Sequence, residues 1–134
     1  MTGFNEHASR VAAGTLALGM ALALIAPPAS ARDVMVGGEA GLDACAGSGF
    51  VTGLNPAGDN YLSVRAAPAR DGRELDRLGP RTQVWLCDEA GSWLGVVYGD
   101  EDCGVSSPIA RRQPYGGPCR SGWVFERYIF LGAG

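Results

Sequence analysis

The chain contains no lysine and a single histidine, His7. The missing lysine carries no functional weight, but the histidine does, because position 7 lies in a segment expected to be removed. From residue 32 onward there is no histidine at all. That excludes Ser-His-Asp and Cys-His mechanisms and withdraws the commonest transition-metal ligand. Carboxylate-only chemistry, such as glycoside hydrolysis, stays formally open. No C-x-x-C occurs among the four widely spaced cysteines, so a zinc site is not indicated. The acidic run Asp100-Glu101-Asp102 lacks the regular ligand loop of a calcium site and reads as a solvated turn. Ser106 and Ser107 have no base to activate them. No catalytic residue, cofactor or metal is therefore expected, and the chain reads as a non-enzyme. A basic excess is also missing. Beyond residue 31, ten Arg face thirteen Asp and Glu, which is not the balance of a nucleic-acid binder.

The N-terminus is the most informative segment that is present. Met1–Arg10 is polar with one Arg, Val11–Ala26 is a continuous apolar run, Pro27 and Pro28 break it, and Ala29-Ser30-Ala31 supplies a small-x-small motif. These are the three regions of a secretory signal peptide. The apolar run is shorter than the roughly 20 residues a membrane span needs. No cysteine follows the motif to take a lipid, and no Arg-Arg pair precedes the run. The expected mature protein starts at Arg32 in the periplasm or beyond, with no stable membrane insertion after cleavage.

The 103 residues that remain make one small domain with a modest core. Cys45, Cys87, Cys103 and Cys119 form an even set in a small exported chain, which reads as two disulfides. Three pairings are possible. Cys103–Cys119 is favoured because it staples one local loop, leaving Cys45–Cys87 to tie the N-terminal segment to the rest. In the chain-entropy treatment the first is worth roughly 3 kcal/mol and the second about 4 kcal/mol.

No stretch after residue 31 holds a 3.6-residue apolar period over three turns. Instead, short apolar runs alternate with turn signals. The runs are Gly49–Leu54, Asn60–Ala66, Glu74–Leu78, Arg81–Cys87, Ser92–Tyr98, Ser121–Phe125 and Tyr128–Leu131. The turns are 55–60, 67–72 and 88–91. This spacing predicts a small all-β barrel or sandwich. Residues 32–59 read as an irregular lead-in that includes the first strand, and 126–128 as a single helical turn. Period-two counting assigns Leu62, Val64, Leu78, Val84, Leu86, Leu94, Val96, Val124 and Ile129 to one core. It sets Tyr98 on the side of Leu94 and Val96, and Trp93 and Trp123 on the outward side of their strands. Residues 99–120 form a long insert between two strands, acidic at its start and basic at its end, with a cysteine toward each end. Loops of about 20 residues in a compact domain are often functional.

From Tyr61 onward the chain resembles the bacterial SH3-like (SH3b) domain family. The residues that carry the resemblance are Leu62-Ser63-Val64-Arg65-Ala66-Ala67-Pro68, then Gly79 with Val84 and Leu86 leading to Gly91-Ser92-Trp93-Leu94-Gly95-Val96, and last Gly122-Trp123-Val124 followed by Tyr128-Ile129. The blocks occur in family order over about half of the chain. The stapled insert departs from the family, which commonly has a tight turn there. With that insert the chain looks like a group of small exported proteobacterial SH3 domain-containing proteins. The resemblance implies a small SH3-like barrel of five to seven short strands spanning 60–134, with the insert at 99–120. It also implies a binding module, since such domains accompany peptidoglycan-cleaving enzymes and help target the cell wall.

The candidate ligand-binding residues follow from the residue types. Trp93, Trp123, Tyr98 and Tyr115 offer flat faces to a sugar, a peptide stem or a protein, unless the tryptophans serve as half-buried packing. Arg111 and Arg112, with Arg120, match carboxylates as guanidinium forks, unless they pair with Asp100, Glu101 and Asp102 inside the loop. The expected partner is peptidoglycan or a periplasmic or envelope protein, not nucleic acid. The alternative is a protein-interaction domain or inhibitor acting on an exported enzyme. The processing expectation is directly testable. N-terminal sequencing of the exported protein should begin at Arg32, and a mature product that retains Val11–Ala26 would refute it.

Overall fold

The structure, a computed structural model, describes residues 27–132 together with Gly14 and Gly19. The rest of the apolar run assigned to the signal peptide lies outside the described residues. Residues 27–31 carry no regular structure and are mostly exposed. No helix among the described residues is long and apolar enough to cross a membrane.

The chain is all-β. Its strands are β1 (Met35–Val36), β2 (Gly47–Val51), β3 (Leu62–Arg65), β4 (Glu74–Leu78), β5 (Gln83–Ala90), β6 (Trp93–Tyr98), β7 (Gln113–Pro114), β8 (Arg120–Phe125) and β9 (Ile129–Leu131). A single 3-10 turn, Glu126–Tyr128, joins β8 to β9. Seven strands form one sheet in the order β4-β3-β8-β6-β5-β2-β9, and β1 and β7 form a second, two-stranded sheet. All pairings are antiparallel.

Alternation along these strands builds the main core. Val51, Leu62, Val64, Leu78, Val84, Leu94, Val96, Tyr98, Val124 and Ile129 are buried in one cluster, with Leu86 packed against it. Every strand of the large sheet contributes, including β4 and β9 at its two ends, so the sheet wraps round this cluster. The end strands are not paired with each other.

The outer face of the same sheet is also apolar, at Val97 and Trp123. It is sealed by a second cluster containing Val36, Ala44, Cys45, Val97, Cys103 and Val105. The lead-in and the insert supply this layer. The lead-in is more regular than expected, because β1 pairs with β7 of the insert, Met35 opposite Pro114 and Val36 opposite Gln113. Further backbone bonds knit the two segments together: Gly38 N–H to Ile109 O (3.0 Å), Ala44 N–H to Ser107 O (2.9 Å), Cys45 N–H to Val105 O (3.2 Å) and Tyr115 N–H to Val34 O (2.9 Å). Both expected disulfides are present. Cys45–Cys87 fastens the lead-in to β5, and Cys103–Cys119 closes the insert.

One local irregularity sets how the layers meet. Strand β5 does not stop at Cys87 but runs to Ala90, and the turn shrinks to Gly91-Ser92, where Gly91 takes a φ of 59° suited to a tight hairpin. The register slips between Leu86, opposite Val96, and Asp88, opposite Gly95. This is a β-bulge, an extra residue that re-aims the side chains beyond it. Period-two counting from Val84 and Leu86 places Asp88 on the core face; the bulge turns it to the outer face instead. There Asp88 is buried and accepts hydrogen bonds from Met35 N–H (3.0 Å), Glu89 N–H (2.9 Å) and Arg112 Nη2 (3.1 Å). Its neighbour Gly95 has no room for a side chain, since a Cβ there lies 2.7 Å from Asp88 Cβ and 3.3 Å from the Trp123 ring.

The core assignment predicts its own energetics. Val→Ala at positions 64, 84, 96 or 124 should cost on the order of 1–3 kcal/mol each, from lost transfer energy and the cavity left behind. Urea denaturation measures this. Changes within about 0.5 kcal/mol at most of the four would reverse the strand faces.

Candidate functional site

The six residues selected from the sequence do not come together. Trp123 and Tyr98 require correction as ligand-facing groups. Trp123 is fully buried, because the lead-in crosses its outer side: its indole N–H donates to Arg32 O at 2.8 Å, and the Arg32 guanidinium lies 5.3 Å from the ring centroid. Tyr98 is buried in the main core with its hydroxyl donating to Asp76 Oδ2 at 3.0 Å. Tyr115 braces the insert from within. Its hydroxyl donates to Cys103 O at 2.8 Å and accepts from Cys119 N–H at 3.1 Å. Arg112 is held by Asp88 and Arg120 by Asp76 (3.0 Å), so neither pairs with the acidic triplet. Arg111 is exposed, with no ion pair among the described residues. Of the six, Trp93 alone lines the groove in which aromatic rings gather.

That groove encloses about 630 Å³. One wall is aromatic. Trp93 at the start of β6 sits opposite Phe125 at the end of β8 in the strand register, and the rings meet edge to face at 5.5 Å. Phe125 continues to Tyr128 of the 3-10 turn at 6.3 Å. Such cross-strand aromatic pairs stabilise a sheet, and here all three rings are half-buried. The facing side comes from Tyr61, Ser63 and Arg65 at β3, Glu74 of β4, and the 53–59 loop through Leu54, Asn55 and Asp59. Arg70 covers Phe125 at 5.8 Å, and Arg127 follows from the 3-10 turn.

The charges in the groove are not equivalent. Arg65 donates to Gly72 O at 3.0 Å and so fixes the 67–72 turn. Glu74 is held below the ordinary carboxylate range by the Ser63 hydroxyl and then by Arg77, so its charge is already matched. Arg70 and Arg127 have no ion pair among the described residues. The arrangement is an aromatic shelf flanked by the Arg70 and Arg127 guanidinium groups, suited to a flat or extended ligand that carries carboxylates. Among the described residues no group of three or more His, Cys, Asp or Glu is placed to hold a metal ion. No family model, curated protein or solved structure matches the chain.

Sequence reasoning missed Tyr61, Phe125, Tyr128, Arg70 and Arg127. The available signal was the pairing of the Trp93 strand with the Gly122-Trp123-Val124 strand, since antiparallel register then sets Phe125 beside Trp93.

At the opposite end of β6, Asp76 links β4 to β6 and β8. Burial raises its carboxyl, but hydrogen bonds from Arg77 N–H, the Tyr98 hydroxyl and the Arg120 guanidinium outweigh that and leave it below its ordinary 3.8. A carboxylate depressed in the folded state contributes stability that is complete above its unfolded value and is lost as the pH falls through the folded one. Asp76→Asn should therefore cost about 1–2 kcal/mol at neutral pH. The gap to wild type should close as the pH drops below about 4. Denaturation curves at stepped pH check this, and a gap that widens in acid contradicts it.

Proposed function

We propose that this chain is an exported, non-catalytic binding module with an SH3-like barrel, which attaches to the cell envelope through the Trp93–Phe125–Tyr128 groove. The carrying observation is that groove: half-buried aromatic rings grouped with Arg70 and Arg127, which have no ion pair among the described residues, in a chain whose net charge is −3. Peptidoglycan fits it chemically, because its sugars offer flat apolar faces and its stem peptides offer carboxylates. An acidic envelope protein offers the same groups. The barrel reading is supported by where the resemblance blocks fall, on β3, on the β5–β6 hairpin, and on β8 running through the 3-10 turn into β9. Export is supported by two disulfides and no free cysteine among the described residues, the usage of an oxidising compartment.

The test is binding of the purified protein to isolated sacculi and, separately, to a periplasmic extract. Trp93→Ala and Arg127→Ala should each weaken the interaction at least about fivefold, the scale of one lost contact, while Arg111→Ala leaves it unchanged. Sacculus binding supports the envelope reading. Co-purification with one periplasmic enzyme instead supports an inhibitor or protein-interaction domain. Equal binding by wild type and both groove variants would remove the groove from the function.

A further inference from the structure

The main core reaches the surface a second time, on the other side of the 3-10 turn. A groove of about 620 Å³ has Leu86, Leu94 and Ile129 as its floor, with Leu131 beside them. Leu86, Leu94 and Ile129 belong to or pack on the main core, while Leu131 is 63% exposed. The rim is acidic. Asp88 and Arg112 neutralise each other at 3.1 Å, which leaves Glu89 and Glu126. Both are exposed and have no ion pair among the described residues.

From this geometry we infer that the groove is a second binding site, for the alkylammonium side chain of a lysine-type residue on a partner peptide. The reasoning is complementarity on two counts. An apolar floor favours a straight hydrocarbon stem of about four carbons, which long basic side chains lay along apolar surface while their charge stays in water. Two uncompensated carboxylates at the rim favour a cation at the end of that stem and disfavour a fatty acid or an acidic peptide. The site is independent of the aromatic groove, with which it shares no lining residue.

The test uses tetralysine and its ε-acetylated form, which keeps the stem and removes the charge. Both are titrated into the isotope-labelled protein while backbone amide shifts are followed. Tetralysine should shift the amides of Glu89, Leu94, Ile129 and Leu131, and bind at least about fivefold tighter than the acetylated peptide. Glu89→Gln/Glu126→Gln should abolish that preference. Asp100→Asn/Glu101→Gln, an equal loss of charge elsewhere on the surface, should keep it. Three results overturn the inference: no shifts at the groove, equal affinity for the two peptides, or equal loss in the two double variants. Trp93→Ala should leave the interaction intact, so failure here is distinct from failure of the aromatic groove.

Discussion

Val97 and Trp123 lie on the outer face of the large sheet, and covering them is the constraint on which the rest of the structure depends. Strand β6 is apolar on both sides: Leu94, Val96 and Tyr98 face the main core, and Val97 faces away. A strand buried on both faces needs two layers. Among the described residues no α-helix supplies the second layer, which is built mostly of irregular backbone. Irregular backbone makes a poor cover unless its polar groups are satisfied. The lead-in and insert solve that by bonding to each other through β1, β7 and the bonds at Ala44 and Cys45. The disulfides hold the layer closed with sequence separations of 42 and 16 residues. The 42-residue separation belongs to Cys45–Cys87, which removes more freedom from the unfolded chain because it closes the longer loop.

Asp88 completes that attachment. It is the single buried charged residue among the described residues, and it joins β5 to β1 through Met35 and to the insert through Arg112. Arg112 remains half exposed, so the pair is not a sealed ion pair. Its worth lies more in satisfying the Met35 N–H than in Coulomb attraction, which solvent weakens. The part of the outer face around Val97 and Trp123 is thereby closed to ligands. Trp123, whose sequence position suggested an open aromatic face, is instead the surface on which the lead-in rests. The half-buried aromatic shelf lies on the same face beyond that cover, where β6 starts and β8 ends.

The legible part of the fold is the part that periodicity encodes. The runs around Val64, Val84, Val96 and Val124 became strands with those residues inside, and the cysteine spacing led to the observed disulfides. Period two sorts side chains by face, but it does not say what covers a face. Trp123 accordingly falls on the outer side of β8, where period two sets it, and of its two readings, ligand face or packing, the cover by the lead-in selects packing. Tyr98 shows the same limit from the other direction: its shared face with Leu94 and Val96 already implied burial, against its selection as a contact residue. Asp88 was hidden by a one-residue bulge, which no alternating pattern announces. The groove was hidden because Tyr61, Arg70, Phe125 and Tyr128 come from separate segments that only strand register and turn geometry bring together.

The 3-10 turn between β8 and β9 gives the two grooves their different characters. With about three residues per turn, successive side chains point roughly a third of a circle apart. Glu126 consequently lines the groove floored by Leu94 and Ile129, while Arg127 and Tyr128 line the one walled by Trp93 and Phe125. Three consecutive residues thus place an acid on one side and a base with an aromatic ring on the other. The turn itself buries nothing and has no side-chain cap. It is held from both ends instead, by Glu126 N–H bonding to Ser92 O at 3.0 Å and by Tyr128 O accepting Thr52 N–H at 2.9 Å. Those bonds tie it to the β5–β6 hairpin and to the end of β2, so the orientation of both grooves is set by the same sheet that encloses the core. In each groove the wall formed by the sheet and this turn is positioned by paired backbone, which lowers the ordering cost of binding there.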